Sequence, residues 1–168
     1  EGGAPLHGEI TPQGAKNEAL QILCATLLTP EKVTVRNVPA IVDVLQLIEL
    51  LEKMGVKVGH PAEDTYTFEA REIDFGYLQS EDYRKRAARL RGSVMIIGPL
   101  LARFGEGYIP KPGGDKIGRR RLDGHFYGLC KLGAVMSGEE TYRFDAPAGL
   151  SGRELFLDEA SVTATEQI

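Results

Sequence analysis

Three short clusters in this chain hold residue types that bind anions and move protons. Gly14-Ala15-Lys16-Asn17 sits where a turn gives way to an apolar run. Small residues there admit a ligand to the backbone, and a helix N-terminus beside a lysine ammonium attracts an oxyanion. Alone, the tetrapeptide also reads as an ordinary helix start. Arg91, inside Arg89-Leu90-Arg91-Gly92-Ser93, opens a second apolar run. Its planar guanidinium and the N–H groups that follow suit a phosphate or carboxylate, although a surface arginine has the same local sequence. The third cluster is Pro112-Gly113-Gly114-Asp115-Lys116-Ile117-Gly118-Arg119-Arg120-Arg121. Its three glycines loosen the backbone, and four cations accompany one carboxylate, Asp115. Such a segment suits a lid that closes over a multiply charged anion and brings one proton donor; a plain exposed loop is the other reading.

Neither the Gly-x-Gly-x-x-Gly fingerprint nor a P-loop occurs, so nucleotide binding of those kinds is not expected. His7, His60 and His125 are scattered without ligand spacing. No metal and no cofactor is expected from them. Charge is segregated: from Arg84 to Arg121 eleven basic residues face two acidic ones, Glu106 and Asp115, so that stretch is +9 in a chain of −4. An anion site needs this arrangement, and a solvated basic helix face also produces it. A nucleic-acid partner is not expected, because Phe104 and Tyr108 are the only aromatics interleaved with those cations and the whole chain is acidic.

The elements that must position these clusters come in a repeating order. Residues 6–10 are predicted as a short strand, and 17–28 as a helix apolar on nearly every side and hence buried within a domain. Residues 32–38 alternate as a strand. Asp43 is predicted to cap a helix reaching Met54, with Glu49 and Lys53 paired at i,i+4, and Gly55 ends it. Strands follow at 56–58 and 66–72, then a connector at 73–81. The order recurs as a helix at 91–104, a strand at 107–110, the glycine loop, a helix at 123–132 closed by Gly133, and a strand at 134–136. Lys53-Met54-Gly55-Val56 and Lys131-Leu132-Gly133-Ala134 are matching helix ends 78 residues apart, and a third copy opens at Ser161-Val162-Thr163-Ala164. That spacing is too long for an ankyrin-like solenoid. It describes an α/β chain of two βαβαββ units, each with one buried helix, plus the start of a third. Ile168 then falls inside an element, and the expectation is a piece of a longer protein.

Bulk properties agree with a folded domain. With 168 residues, 42% hydrophobic and 26% charged, the chain can bury a core and is not expected to be disordered. The longest apolar run, 94–104, is interrupted by Gly98-Pro99 and Arg103, so no membrane partner is expected. The chain starts at Glu1 without a signal-like segment. Cys24 and Cys130 lack C-x-x-C spacing and are read as buried thiols in a reducing cytoplasm.

Taken together and in order, these motifs resemble the enolpyruvyl transferase family, in its UDP-N-acetylglucosamine 1-carboxyvinyltransferase branch. The likeness runs through Gly14-Ala15-Lys16-Asn17, Asn37-Val38-Pro39 with Asp43, and Arg91-Gly92-Ser93. It continues through Gly98-Pro99-Leu100-Leu101-Ala102-Arg103-Phe104-Gly105, the Pro-Gly-Gly loop, Ile117-Gly118, Arg120, Asp123, His125 and Ser161-Val162. The resemblance implies an inside-out α/β barrel of βαβαββ repeats with helices at the centre, one of two such domains in a protein more than twice this length. Residues 1–14 would then hold a strand of the other domain, and 15–168 a lid-bearing domain truncated in its third repeat. Its partner would be the missing C-terminal domain, without which no turnover is expected.

The resemblance also implies substrates and roles. Lys16, Arg91 and Arg120 would hold phosphoenolpyruvate. Asn17, Arg91, Arg120, Leu122, Asp123, Gly124, Ser161, Val162 and Thr163 would hold UDP-N-acetylglucosamine. The reaction would be addition of the sugar 3-hydroxyl to phosphoenolpyruvate followed by loss of phosphate, in peptidoglycan precursor synthesis. Most of the family carries cysteine where this chain has Asp115, which would become the catalytic acid. An ordinary Asp pKa is about 3.9, and Lys116 with Arg119 to Arg121 favour the carboxylate, so the role requires substrate anions to reverse the local field. Fosfomycin alkylates the family's loop thiol, so insensitivity is expected. Arg121, Glu159 and Thr163 also depart from the residues common at their positions, proline, lysine and glycine. The sister enzyme acting on shikimate 3-phosphate is the alternative, although it follows its lysine with serine rather than asparagine.

Overall fold

The computed structural model describes residues 2–3, 5–111, 121–139 and 141–168. Asp115 and Arg120, with the rest of the glycine loop, lie outside the described residues.

Two copies of one supersecondary unit make up the chain. In the first, α1 (Lys16–Ala25) runs into a 3-10 turn (Thr26–Leu28), then β1 (Lys32–Val35), α2 (Val42–Lys53), β2 (Lys57–Ala62) and β3 (Thr65–Glu69). Strand β3 lies between the other two and pairs antiparallel with both, with Val33 and Val58 each opposite Phe68. The second copy starts with a 3-10 segment (Arg91–Ile96) that continues as an α-helix, Ile97–Phe104. Short helices at Phe75–Leu78 and Glu81–Arg89 precede it; in chain order these three are α3, α4 and α5. Then come β4 (Glu106–Pro110), α6 (Asp123–Lys131), β5 (Val135–Ser137) and β6 (Thr141–Asp145), with β6 central and antiparallel to both neighbours. A last helix, α7 (Val162–Gln167), follows.

The equal sheet orders confirm the repeat read from the sequence. So do the matched helix ends: Gly55 at φ 101° and Gly133 at φ 115° take the left-handed conformation that closes α2 and α6. The leading strand of each βαβαββ unit is not formed among the described residues. Residues 6–10 make no ladder, and Leu6 and Ile10 are 95% and 92% exposed, because a strand without a partner leaves its backbone to water.

Each unit buries its first helix against the other. Ala19, Leu20, Leu23 and Cys24 of α1 meet a core that includes Ile96, Ile97, Leu100 and Leu101. The expectation of all-round burial over 17–28 fails, since Ile22 of α1 and Leu28 of the 3-10 turn after it remain exposed. The predicted 91–104 helix is split into a 3-10 part and an α-helical part, and at Gly92 the backbone runs close to α1, where a Cβ would stand 3.2 Å from Leu20 Cδ1. Pro99 falls in the first turn of α5, where its missing N–H costs nothing. Arg103 ties the copies together, donating to Leu27 O and Ala70 O, both at 2.7 Å. The buried Tyr83 hydroxyl on α4 donates to Tyr108 O on β4 at 2.8 Å.

Several local readings are corrected. Ile41 occupies the N-cap of α2 without a side-chain cap, and Asp43 in the first turn reaches across to Lys16 instead. Glu49 pairs with Arg86 on α4 at 2.8 Å, since that guanidinium approaches from outside the helix and also meets Asp82. The connector at 73–81 contains α3, started by Asp74 accepting from Tyr77 N–H. Helix α4 and strand β6 were not anticipated. Cys24 is buried as expected, and burial pushes its thiol up to about 12. Cys130 is exposed, because it falls on the outer face of α6.

Candidate anion site

A cavity of about 630 Å³ opens where α1, the 3-10 segment at 91–96, the start of α6 and the turn into α7 converge. Its first wall is built by a close backbone contact. A Cβ on Gly14 would lie 1.9 Å from Asn37 O, so only glycine lets this strand of chain cross the Asn37 turn, itself left-handed at φ 56°. That crossing sets Lys16 at the first position of α1, with Asn17 next to it on the cavity. Lys16 Nζ donates to Asp43 Oδ2 at 2.7 Å, with each side chain a little over two-fifths exposed.

The second wall carries Arg89, Arg91, Gly92, Val94 and Met95. Arg91 Nη2 donates to the carbonyl of Arg121 at 3.3 Å. Arg121 in turn spends its guanidinium on Asp123 at 2.6 Å and Asp158 at 3.4 Å. The third wall is Leu122 and His125, faced by Glu159, Ser161, Val162 and Thr163. His125 is 2% exposed. Its Nδ1 meets Gln167 Oε1 and its Nε2 lies 3.0 Å from Thr163 Oγ1, while Gln167 Nε2 donates to Val94 O at 2.6 Å. Burial holds the imidazole below its ordinary pKa; the Gln167 bond opposes that shift and the nearby Arg91 charge adds to it.

A family model for EPSP synthase (3-phosphoshikimate 1-carboxyvinyltransferase) matches residues 1–168. The chain belongs to that family. Within it, the chain is 56% identical over 171 residues to a UDP-N-acetylglucosamine 1-carboxyvinyltransferase of Bacteroides thetaiotaomicron, covering 100% of this chain and 39% of that protein. A protein of the same name from Porphyromonas gingivalis is 54% identical over the same shares. The chain thus spans about two-fifths of the length of these relatives. The crystal structure of the enolpyruvyl transferase NikO from Streptomyces tendae matches with a TM-score of 0.68 at 20% identity, over 89% of this chain and 32% of that one. These neighbours support the inside-out α/β barrel class.

Against the enolpyruvyl transferase reading of the sequence, seven candidate residues share the cavity: Lys16, Asn17, Arg91, Leu122, Ser161, Val162 and Thr163. Asp123 and Gly124 do not line it. Asp123 is drawn to Arg121, and Gly124 faces Ala164 inside the α6–α7 contact. Asp43, His125 and Glu159 were not assigned site roles from sequence, yet all three are on the wall. His125 belongs to the motifs that carry the resemblance but has no role from sequence, because the partners that reveal its place, Thr163 and Gln167, are 38 and 42 residues away.

Chemically the cavity presents cations and a hydrogen-bonding rim, an arrangement suited to an anion. Among the described residues four cations, Lys16, Arg89, Arg91 and Arg121, line it against two carboxylates, Asp43 and Glu159. Of those carboxylates, Asp43 is already engaged by Lys16. Among the described residues no group of His, Cys, Asp and Glu is arranged to hold a metal ion, and no helix is long and apolar enough to cross a membrane.

Proposed function

We propose that the protein carrying this chain transfers enolpyruvate from phosphoenolpyruvate to the 3-hydroxyl of UDP-N-acetylglucosamine. The observation that carries this reading is the convergence of Lys16, Asn17 and Arg91 with Ser161 to Thr163 on one cavity, from segments up to 147 residues apart. The names of the relatives support the sugar nucleotide over shikimate 3-phosphate as acceptor.

In this reading the sugar 3-hydroxyl adds to C2 of phosphoenolpyruvate while a proton is delivered to C3. The tetrahedral adduct then loses a C3 proton and its phosphate, leaving an enolpyruvyl ether. Lys16 and Arg91, joined by Arg120, hold the phosphate and carboxylate and stabilise charge in the adduct. Asn17, Leu122, Asp123, Gly124 and the backbone of Ser161, Val162 and Thr163 hold the sugar nucleotide, with Asp123 and Gly124 acting from behind the wall. Asp115 supplies the acid that a cysteine supplies in most of the family, in the liganded state where substrate anions offset the cations beside it. Residues 1–14 belong to a second domain, which completes the site, and the work is done in the cytoplasm in building peptidoglycan precursors.

Phosphate release from phosphoenolpyruvate, measured with the full-length protein and either acceptor, tests the reading. UDP-N-acetylglucosamine supports turnover and shikimate 3-phosphate does not; the reverse result would transfer the assignment to the sister reaction. Asp115→Asn retaining the parent kcat would remove the aspartate from the acid role.

A further inference from the structure

The hydrogen bonds around His125 run in one direction only. Val94 O is a backbone acceptor, so the atom of Gln167 that meets it, at 2.6 Å, must be the amide nitrogen. Gln167 therefore turns its oxygen to His125, whose Nδ1 must carry the proton. Nε2 is then a bare acceptor in the neutral ring, and the group 3.0 Å from it, Thr163 Oγ1, must donate. Burial and the Arg91 charge favour that neutral ring. The relay joins three elements that line the cavity: the 91–96 segment through Val94, three residues from Arg91, α6 through His125, and the start of α7 through Thr163.

We propose that Thr163 and His125 are positioning residues that fix the span between the Arg91 segment and the 161–163 segment, and so set how tightly the sugar nucleotide is held. The inference rests on the functional reading above and adds a constraint to it. The Thr163 proton is spent on His125, so the hydroxyl does not donate to a ligand phosphate. The 161–163 turn serves the ligand through backbone groups that the relay holds in place. This is work that a glycine at position 163 has no side chain to do.

The test uses the full-length protein with UDP-N-acetylglucosamine and phosphoenolpyruvate. Thr163→Val keeps the shape and deletes the donor. It raises KM for the sugar nucleotide about three- to tenfold, the scale of one hydrogen bond, and falls far less on kcat or on KM for phosphoenolpyruvate. Thr163→Ser restores the parent KM. With His125→Asn already present, Thr163→Val adds little further, because both remove one relay. Nitrogen-15 NMR of labelled histidine shows His125 as the Nδ1–H tautomer, a readout that holds even where His125→Asn folds poorly. Parent-like KM in Thr163→Val, or an Nε2–H tautomer, overturns the inference while turnover continues. A wild-type protein that releases no phosphate from this substrate pair overturns the functional reading and the inference with it.

Discussion

Gly14→Ala is the smallest change that should disable the site without touching a charged group. A methyl at position 14 would sit 1.9 Å from Asn37 O and 3.1 Å from both Asn37 C and Pro39 Cδ. Reaching even 3.0 Å from the oxygen requires 1.1 Å of movement, and the obstacle is backbone. The Asn37 turn has little room to retreat. It is held in the left-handed region, and Val38 N–H next to it is bonded to Asp64 O at 2.9 Å, beyond the end of β2. The 14–16 segment must therefore move instead. Ala15 O accepts the first helical bond of α1 from Ala19 N–H at 3.0 Å, so the displacement passes directly into the turn that carries Lys16.

Overpacking ordinarily costs about 1–3 kcal/mol, and a backbone obstacle places Gly14→Ala at the upper end, about 3 kcal/mol. A shift of about 1 Å in a substrate-holding group costs on the order of 10²-fold in rate. Thermal melts and kcat/KM of the full-length protein measure both. Gly92→Ala is the control, because its new methyl would meet the movable end of Leu20 at 3.2 Å, and it should lose less than half as much stability. A Gly14→Ala protein melting within about 1 °C of the parent with undiminished kcat/KM would refute the reasoning, since the crossing would then tolerate a side chain.

Other expectations follow from the same geometry. Asp43→Asn releases Lys16 from its 2.7 Å partner; the pair is well exposed, so the melt should move by no more than about 1 kcal/mol, while KM for phosphoenolpyruvate changes measurably. Arg103→Met strips Leu27 O and Ala70 O of their donor and should cost about 2–4 kcal/mol in urea unfolding, with the 3-10 turn at 26–28 losing amide protection first. His125 has a folded pKa below its ordinary 6.5, so the unfolded chain takes up a proton that the folded one refuses. Its contribution is complete above about 6.5 and lost as pH falls toward the folded value. Melts at pH 7.5 and 5.5 should show a steeper acid loss in the parent than in His125→Asn. Fosfomycin finds no thiol at position 115, and intact-mass spectrometry after incubation should show no adduct there.

What could be read from the sequence was whatever depends on near neighbours. The helix ends at Gly55 and Gly133 were legible because a left-handed glycine after an apolar helix is a local signal, and their spacing exposed the repeat. Lys16 and Arg91 were legible because each opens an apolar run. At Gly14 the need for a small residue is legible, but the backbone it admits is that of Asn37 in the same chain and not a ligand, a contact no local pattern announces. Leu6 to Ile10 has the alternation of a strand but makes no ladder, since alternation specifies a face and not a partner.

The +9 stretch shows why charge counted along a sequence overstates a site. Lys85 and Arg86 are answered by Glu81, Asp82 and Glu49 on helix surfaces, Arg103 by two carbonyls, and Arg121 by Asp123 and Asp158. Among the described members of the stretch, only Arg89, Arg91 and Arg121 face the cavity. A fourth cation, Lys16, comes from far outside it. The candidate site therefore takes only part of the basic run and needs Lys16 of α1 to be brought against it. For that reason Gly14, which carries no charge, should matter to anion binding more than Arg86, which belongs to the run but pairs with Asp82 and Glu49 away from the cavity.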